Sequence, residues 1–309
     1  MTSEPHAPQG LERPPTRDLP IIAIAVLAVS TSGPLIAAAA VPALAIAFWR
    51  NAMASVVLAP IVLLRRRQEL RLLDRRERGL ALLAGLLLAL HFATWVPAVG
   101  LTTVASATAL VGTQPVWSAL IARAQGQPVS RQVWLGIAVA LAGALLLTGA
   151  DFRVSGEALI GDVLALVGGI FAAAYVAAGS EVRRSVSTTT YTTICYSTTA
   201  LLLLATCLVG GQDLSGYKDV DWVKLVALTA GAQLLGHSLF NVVLKTTSPT
   251  VVSMSILFEI PGAAVIAAIF VKGQHVPLLA IPAAVLLLTG LGLVIRSAGR
   301  ATEPAVPVE

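Results

Sequence analysis

The feature that most constrains this chain is a series of apolar runs, each about as long as a bilayer is thick. Roughly 20 mostly apolar helical residues cross the hydrocarbon core. Such runs fall near residues 20–40, 44–64, 79–101, 103–123 and 132–149, and again near 158–179, 190–210, 222–244, 250–271 and 277–296. Of 309 residues, 56% are hydrophobic and only 12% charged, with a mean hydropathy of +0.83. That leaves too little polar surface to coat a soluble domain. The runs are continuous rather than alternating, which disfavours a membrane barrel. The expected fold is an all-α membrane protein of ten transmembrane helices. The run at 190–210 is the least regular, because its YTTICYSTTA half is rich in hydroxyls that can bond back to the helix or face a wet cavity.

Basic residues on short loops set orientation in a membrane. Sixteen fall in one alternating set of loops and tails, among them Arg13, Arg17, the cluster from Arg65 to Arg78, Arg123, Arg131, Arg183, Arg184, Lys245, Arg296 and Arg300. The other set holds Arg153, Lys218, Lys224 and Lys272, and Arg50 is left inside a span. This asymmetry predicts a multi-pass protein of the plasma (inner) membrane with both termini in the cytoplasm, which an even number of spans permits. The run RRRQELRLLDRRERG at 65–79 reads as an orientation anchor, with anionic lipid or nucleic acid as weaker alternatives; no nucleic-acid partner is expected. Residues 1–19 are polar and Pro-rich and read as a disordered cytoplasmic tail, as do 298–309 at the other end. A cleavable signal peptide is disfavoured because the apolar stretch Pro20–Ala40 exceeds a usual signal core. Cys195 and Cys207 lie twelve positions apart in one run, about 18 Å along a helix, too far to pair.

The chain also repeats itself. QPVWSALIARAQGQPV at 114–129 resembles IPGAAVIAAIFVKGQHV at 260–276: a proline inside the membrane, a small apolar run, then Gly-Gln opening a loop. Pro115 matches Pro261, Gly126-Gln127 matches Gly273-Gln274, and in the runs that follow Gly143 matches Gly290. Two repeats of five spans result, 20–149 and 158–297. An odd number of spans forces the second copy to enter from the opposite side, so the halves are inverted. Inverted halves can exchange conformations around a site near the midplane, a device common in transporters.

FWRN at 48–51, HFATW at 91–95, TTVASATALVGTQPVW at 102–117 and the doubled proline-to-Gly-Gln ending resemble the drug/metabolite transporter superfamily, specifically its EamA-type permeases. The likeness covers roughly 20–297. It implies ten spans, two EamA repeats, cytoplasmic termini and export of metabolites or amino acids. Many members carry Gly-Glu where both repeats here read Gly-Gln, so positions 127 and 274 lack the carboxylates that could couple ions.

Polar groups inside spans are costly and face protein or water. Arg50 could clamp a carboxylate or serve structure. Glu259, two positions before Pro261, is a candidate to bind a driving proton or a cationic cargo, with a permanent salt bridge to Arg50 as the alternative. His91 and Trp95, four apart, share a helix face. Gln114 and Trp117 flank Pro115, while Gln233, His237 and Asn241 recur at i, i+4 and i+8 as a polar stripe. His91, Trp95, Gln114, Trp117, Gln233, His237 and Asn241 are the predicted substrate-binding residues, with Pro34, Pro115 and Pro261 breaking helices at the cavity. The nearly apolar spans 132–149 and 277–296 are assigned to the periphery, supporting or dimerising, with Gly136, Ala140 and Ala144 as a close-packing face.

The leading functional reading is a secondary transporter of small metabolites, such as amino acids, working by alternating access. No phosphate loop is present, no cofactor or metal is expected, and protons are the candidate coupling ion. A homodimer is compatible with the apolar faces. An intramembrane enzyme built on His91, His237 and Glu259 is the rival from another class, though no H-E-x-x-H signature is present. A drug or cation efflux carrier is the rival within transport. A channel lacks the expected filter or charged rings.

Overall fold

The computed structural model describes residues 14–102, 104–148, 156–270 and 279–300. Arg13, Arg153, Lys272, the pair Gly273-Gln274, and most of both tails lie outside these residues. Every regular element described is helical: α1 (Asp18–Val29), α2 (Ser32–Ala38), α3 (Ala43–Arg65), α4 (Arg67–Leu72), α5 (Arg75–Leu101), α6 (Val104–Val111), α7 (Gln114–Ala124) and α8 (Arg131–Thr148). After them come α9 (Gly156–Arg183), α10 (Thr188–Val209), α11 (Asp219–Leu228), a π-helical stretch (Thr229–His237), α12 (Ser238–Val243), α13 (Pro249–Ile256), α14 (Glu259–Phe270) and α15 (Ala280–Arg300). Among the described residues seven helical stretches are long and apolar enough to cross a bilayer: 18–38, 43–65, 75–101, 156–183, 188–209, 219–243 and 249–266. Two shorter apolar helices, Arg131–Leu146 and Ile281–Ser297, join them.

The run beginning at 190, least regular in sequence, is continuous helix in α10. Its threonines return their hydroxyls to the backbone one turn back: Thr192 to Thr188 O, Thr193 to Thr189 O, Thr198 to Ile194 O and Thr199 to Cys195 O, all at 2.7–2.9 Å. Of the two readings open for these hydroxyls, bonding back is the one realised. Helix ends follow their local signals. Asp74 and Glu77 form a reciprocal cap at the start of α5, with bonds of 2.7 and 3.0 Å. Gly126, at φ +80°, ends α7: Gln127 N–H reaches Ala122 O, a left-handed closure that glycine adopts without a Cβ clash.

Three runs that read as single spans are broken. The gaps fall at residues 30–31, 112–113 and 257–258. Pro34, Pro115 and Pro261 each sit in the first turn of the half-helix that follows, where a missing N–H costs no intrahelical bond. Proline alone does not set the breaks, because Pro60 and Pro97 lie inside unbroken α3 and α5.

Long helices pair through small residues. α9 runs along α5, α10 along α3 and α5, and α15 along α8. In the last pair Gly290 lies so close to Gly136 that an added Cβ would come within 2.4 Å of the Gly136 carbonyl and 2.7 Å of the Ala140 Cβ. The Gly136–Ala140 face predicted for support or dimerisation is thus filled by α15 of the same chain. Gly290→Val is expected to destabilise the fold by about 1–3 kcal/mol through overpacking, read as a lower melting temperature in detergent. Gly292→Ala, which meets nothing within 4 Å, serves as the neutral control.

On the arginine-rich face, the cluster at 65–79 is tied down by acidic residues, one of its own and one from α9. Glu69 of α4 accepts from Ser187 N (2.6 Å), Ser187 Oγ (2.7 Å) and Thr190 Oγ1 (2.7 Å) at the N-terminus of α10, and Glu181 of α9 meets Arg76 at 3.6 Å. Partial burial opposes charge on Glu69, but these bonds and Arg66 outweigh it and hold its carboxyl below the ordinary value of 4.5. A lowered folded value stabilises above 4.5, and the contribution disappears as pH falls through the folded value. Wild type is therefore expected to melt above Glu69→Gln at neutral pH and to lose that lead in acid below 4.5.

Candidate functional site

Residues beside the three breaks and at the end of the π-helical stretch line one cavity. α5 supplies His91 and Trp95, α7 supplies Gln114, α9 supplies Tyr175, and α12 and α13 supply Asn241 and Ser253. His237 closes the π-helical stretch and Glu259 opens α14, both on the cavity wall. About 60 Å³ is open to the centre of a water-sized sphere, and one water needs about 10–15 Å³ on that measure. The cavity in this conformation therefore holds a few waters and must widen for anything larger.

His91 is 7% exposed, and its Nδ1 lies 2.9 Å from the Gly168 carbonyl. A carbonyl only accepts, so Nδ1 donates, which assigns the neutral ring's remaining lone pair to Nε2. The ring stacks on Trp95 at 5.8 Å and 6° between planes, as their spacing on one helix face requires. The Trp95 indole Nε1 is buried without a hydrogen-bond partner among the described residues. Gln114 Nε2 donates to Ser253 Oγ at 3.0 Å, joining α7 to α13 across the two breaks. Asn241 Nδ2 donates to the Tyr175 hydroxyl at 2.7 Å.

The stripe Gln233, His237, Asn241 divides. His237 and Asn241 line the cavity, with His237 edge-on to Phe92 at 5.8 Å. Gln233 is fully buried behind it: its Oε1 accepts from Arg50 Nε at 2.8 Å, and its Nε2 donates to Asn51 Oδ1 at 3.1 Å. In the π-helical stretch the backbone bonds close one residue later, from i to i+5, so the 3.6 spacing that defines the stripe does not hold there. Trp117, also predicted for the site, is half-buried away from the cavity wall, and its Nε1 donates to Thr113 Oγ1 at 3.1 Å.

Arg50 is fully buried one layer back. Gln233 and Ser32 hold its Nε and Nη1, its guanidinium carbon stands 4.3 Å over the Phe92 ring, and Nη2 has no hydrogen-bond partner among the described residues. The alternative of a permanent Arg50–Glu259 salt bridge is not realised, since the two are not within 4.0 Å. An aromatic face and two neutral oxygens take the place of a carboxylate. His91, His237 and Glu259 share one wall without converging as a metal set among the described residues.

Sequence reasoning missed Tyr175 and Ser253. The signal for Tyr175 was available: a hydroxyl-bearing aromatic in the middle of the Ala- and Gly-rich run 158–179. Ser253 has only a short hydroxyl among many and carried no such signal.

The sequence model of the EamA-like transporter family matches residues 19–149 and 159–296, nearly the whole span of helices just described. The chain belongs to the EamA-like transporter family. One solved crystal structure superposes on this EamA-like chain with a TM-score of 0.75 at 20% identity, covering 93% of this chain and 99% of the other. At that identity the likeness concerns the fold alone. Among curated proteins none matches significantly. Family and helices together make this a multi-pass membrane transporter of the drug/metabolite type.

The Arg50–Gln233 bond is where the site and its support meet. Gln233→Leu is expected to cost about 1.5–3 kcal/mol, because it strips a buried charged donor of its acceptor. Thermal unfolding in detergent checks this, with Gln233→Glu expected to retain most of the stability by keeping an oxygen toward Arg50.

Proposed function

We propose that this chain is a secondary transporter of ten spans, arranged as two inverted five-span repeats, that exports small metabolites by alternating access through the central cavity. Amino acids and related polar compounds are the cargo class put first. The observation that carries this reading is the convergence of three broken helices on one cavity whose largely apolar wall carries His91, Gln114, His237, Asn241 and Glu259. Broken helices are tolerated at membrane depth where they line a cavity, and discontinuous helices at the midplane are how carriers build binding sites. The ten spans are the seven long helices, the pair α6 and α7 taken as one interrupted span, and the short helices α8 and α15. Both family-matched segments, 19–149 and 159–296, accord with one five-span repeat each.

Within this reading His91, Trp95, Gln114, His237 and Asn241 contact cargo, Tyr175 and Ser253 join them, and Gln233 and Trp117 act as supports. Arg50 is a positioning charge. Glu259, at the cavity wall and without an ion-pair partner among the described residues, is the coupling carboxylate that takes up and releases a proton. The arginine-rich face is cytoplasmic and carries both termini in the plasma membrane.

Inverted vesicles from overexpressing cells, given a panel of amino acids, other polar metabolites and organic cations, test the assignment. Uptake of at least one polar metabolite under an imposed proton gradient is expected, with His91→Ala reducing it about tenfold or more, as the loss of one well-placed cargo contact would. Glu259→Gln is expected to remove the response to the gradient. Movement of organic cations alone would reassign the cargo, and no movement of any compound would sink the coupled-carrier reading.

A further inference from the structure

A second cavity lies next to the central one, with about 40 Å³ open to the centre of a water-sized sphere. Its wall continues the same helices. α7 gives Gln114 to the central cavity and Ser118 to the second, and α13 gives Ser253 to the central cavity and Thr250 to the second. On α9 the lining passes from Val176 to Ser180. Each step is three or four residues, one helical turn of about 5.4 Å. The two cavities are therefore stacked along the helix axes, the second toward the arginine-rich face where Arg184 and Glu181 stand at its wall.

One side chain belongs to both walls. Leu244, 4% exposed and directly following α12, lines the central cavity and the second alike. On its far side the second cavity is polar. The Ser118 hydroxyl, on a residue 2% exposed, is buried with no hydrogen-bond partner among the described residues, so it has unmet capacity for water or a solute. The Thr246 and Thr247 hydroxyls are fixed by the buried Asp18 carboxylate at 2.5 and 3.1 Å. Glu181 and Arg184 pair at 3.1 Å, so the wall offers hydrogen bonds with little net charge.

We propose that this second cavity is an antechamber on the cytoplasmic path, which widens to admit small polar solutes without net charge and is partitioned from the central cavity by Leu244. It rests on the transporter reading, in which the central cavity holds cargo. Displacement of one leucine side chain would join two compartments a helical turn apart. A buried apolar partition between the polar second cavity and the central one, whose polar groups sit in a largely apolar wall, hinders water and solute alike until it moves.

Thiol accessibility tests this without any transported compound. In a background with Cys195 and Cys207 replaced by alanine, single cysteines are placed as Ser118→Cys or Ser253→Cys and treated with membrane-impermeant methanethiosulfonates. In inverted vesicles Ser118→Cys is expected to react about tenfold or more faster than Ser253→Cys, as a mostly closed partition requires. Anionic and cationic reagents are expected to label Ser118→Cys at rates within about threefold, because the paired wall charges leave little field. Leu244→Ala should bring Ser253→Cys close to the Ser118→Cys rate, while Leu244→Trp should slow Ser253→Cys alone. Monodisperse elution in detergent establishes that each variant is folded, and either Leu244 variant suffices. Equal labelling of both sites with Leu244 in place, or labelling of Ser118→Cys only in right-side-out vesicles, would overturn the proposal. If no cargo is found in the panel but the accessibility pattern holds, the antechamber stands and only the transport reading falls.

Discussion

Lipid supplies no hydrogen bonds, so a helix crossing it can break only where protein groups or water take over the backbone partners. The architecture follows from that constraint. At the first break Ser30 Oγ donates to Val26 O and Thr31 Oγ1 to Ala28 O, both at 2.7 Å. At the second, Thr113 Oγ1 donates to Leu110 O at 2.7 Å. Near the third, Ser255 Oγ donates to Val251 O at 2.9 Å. The prolines then start each new half-helix where their missing N–H matters least. Small hydroxyl side chains and proline together make interruption tolerable, and the interruptions make the cavity.

At membrane depth the charge beside the cavity needs housing. Arg50 is fully buried, and its cage is assembled from four elements: Gln233 of the π-helical stretch, Ser32 of α2, Phe92 of α5, and its own α3. Gln233 is in turn braced by Asn51, the residue after Arg50. The guanidinium therefore links one half of the chain to the other without a direct carboxylate partner, leaving Glu259 to face the cavity from the head of α14. A carboxylate at a helix N-terminus sits in the favourable end of the helix dipole, and Glu259 takes that position.

Around this centre, packing depends on side chains too small to hold helices apart. Gly168 accepts the His91 bond because α9 can approach α5 closely, and an added Cβ there would meet Trp95 at 3.1 Å. Gly179 faces the Tyr191 ring in the same way, and a Cβ added there would come within 2.5 Å of the Tyr191 hydroxyl. Without a hydrophobic drive between helices in lipid, such close approach supplies the dispersion contacts that hold spans together. The geometry of the site thus rests on glycines that carry no chemistry themselves.

Sequence by itself determined what depends on local sums and short-range order: the membrane class from runs of apolar residues, the basic asymmetry, the threonine-rich α10, and the repeat marked by Pro115 and Pro261. It also singled out His91, Trp95, Gln114, His237, Asn241 and Glu259, because polar groups are conspicuous in apolar runs, and all six line the cavity. Tertiary structure decided which way a polar residue points once helical register is disturbed. Gln233 and His237 share a stripe on an ideal helix, yet one faces Arg50 and the other the cavity. It likewise decided that α15 fills the face of α8 and that Arg50 does without Glu259. Those outcomes depend on the angle and distance between helices far apart in the chain, and no local pattern of apolar and polar residues encodes either quantity.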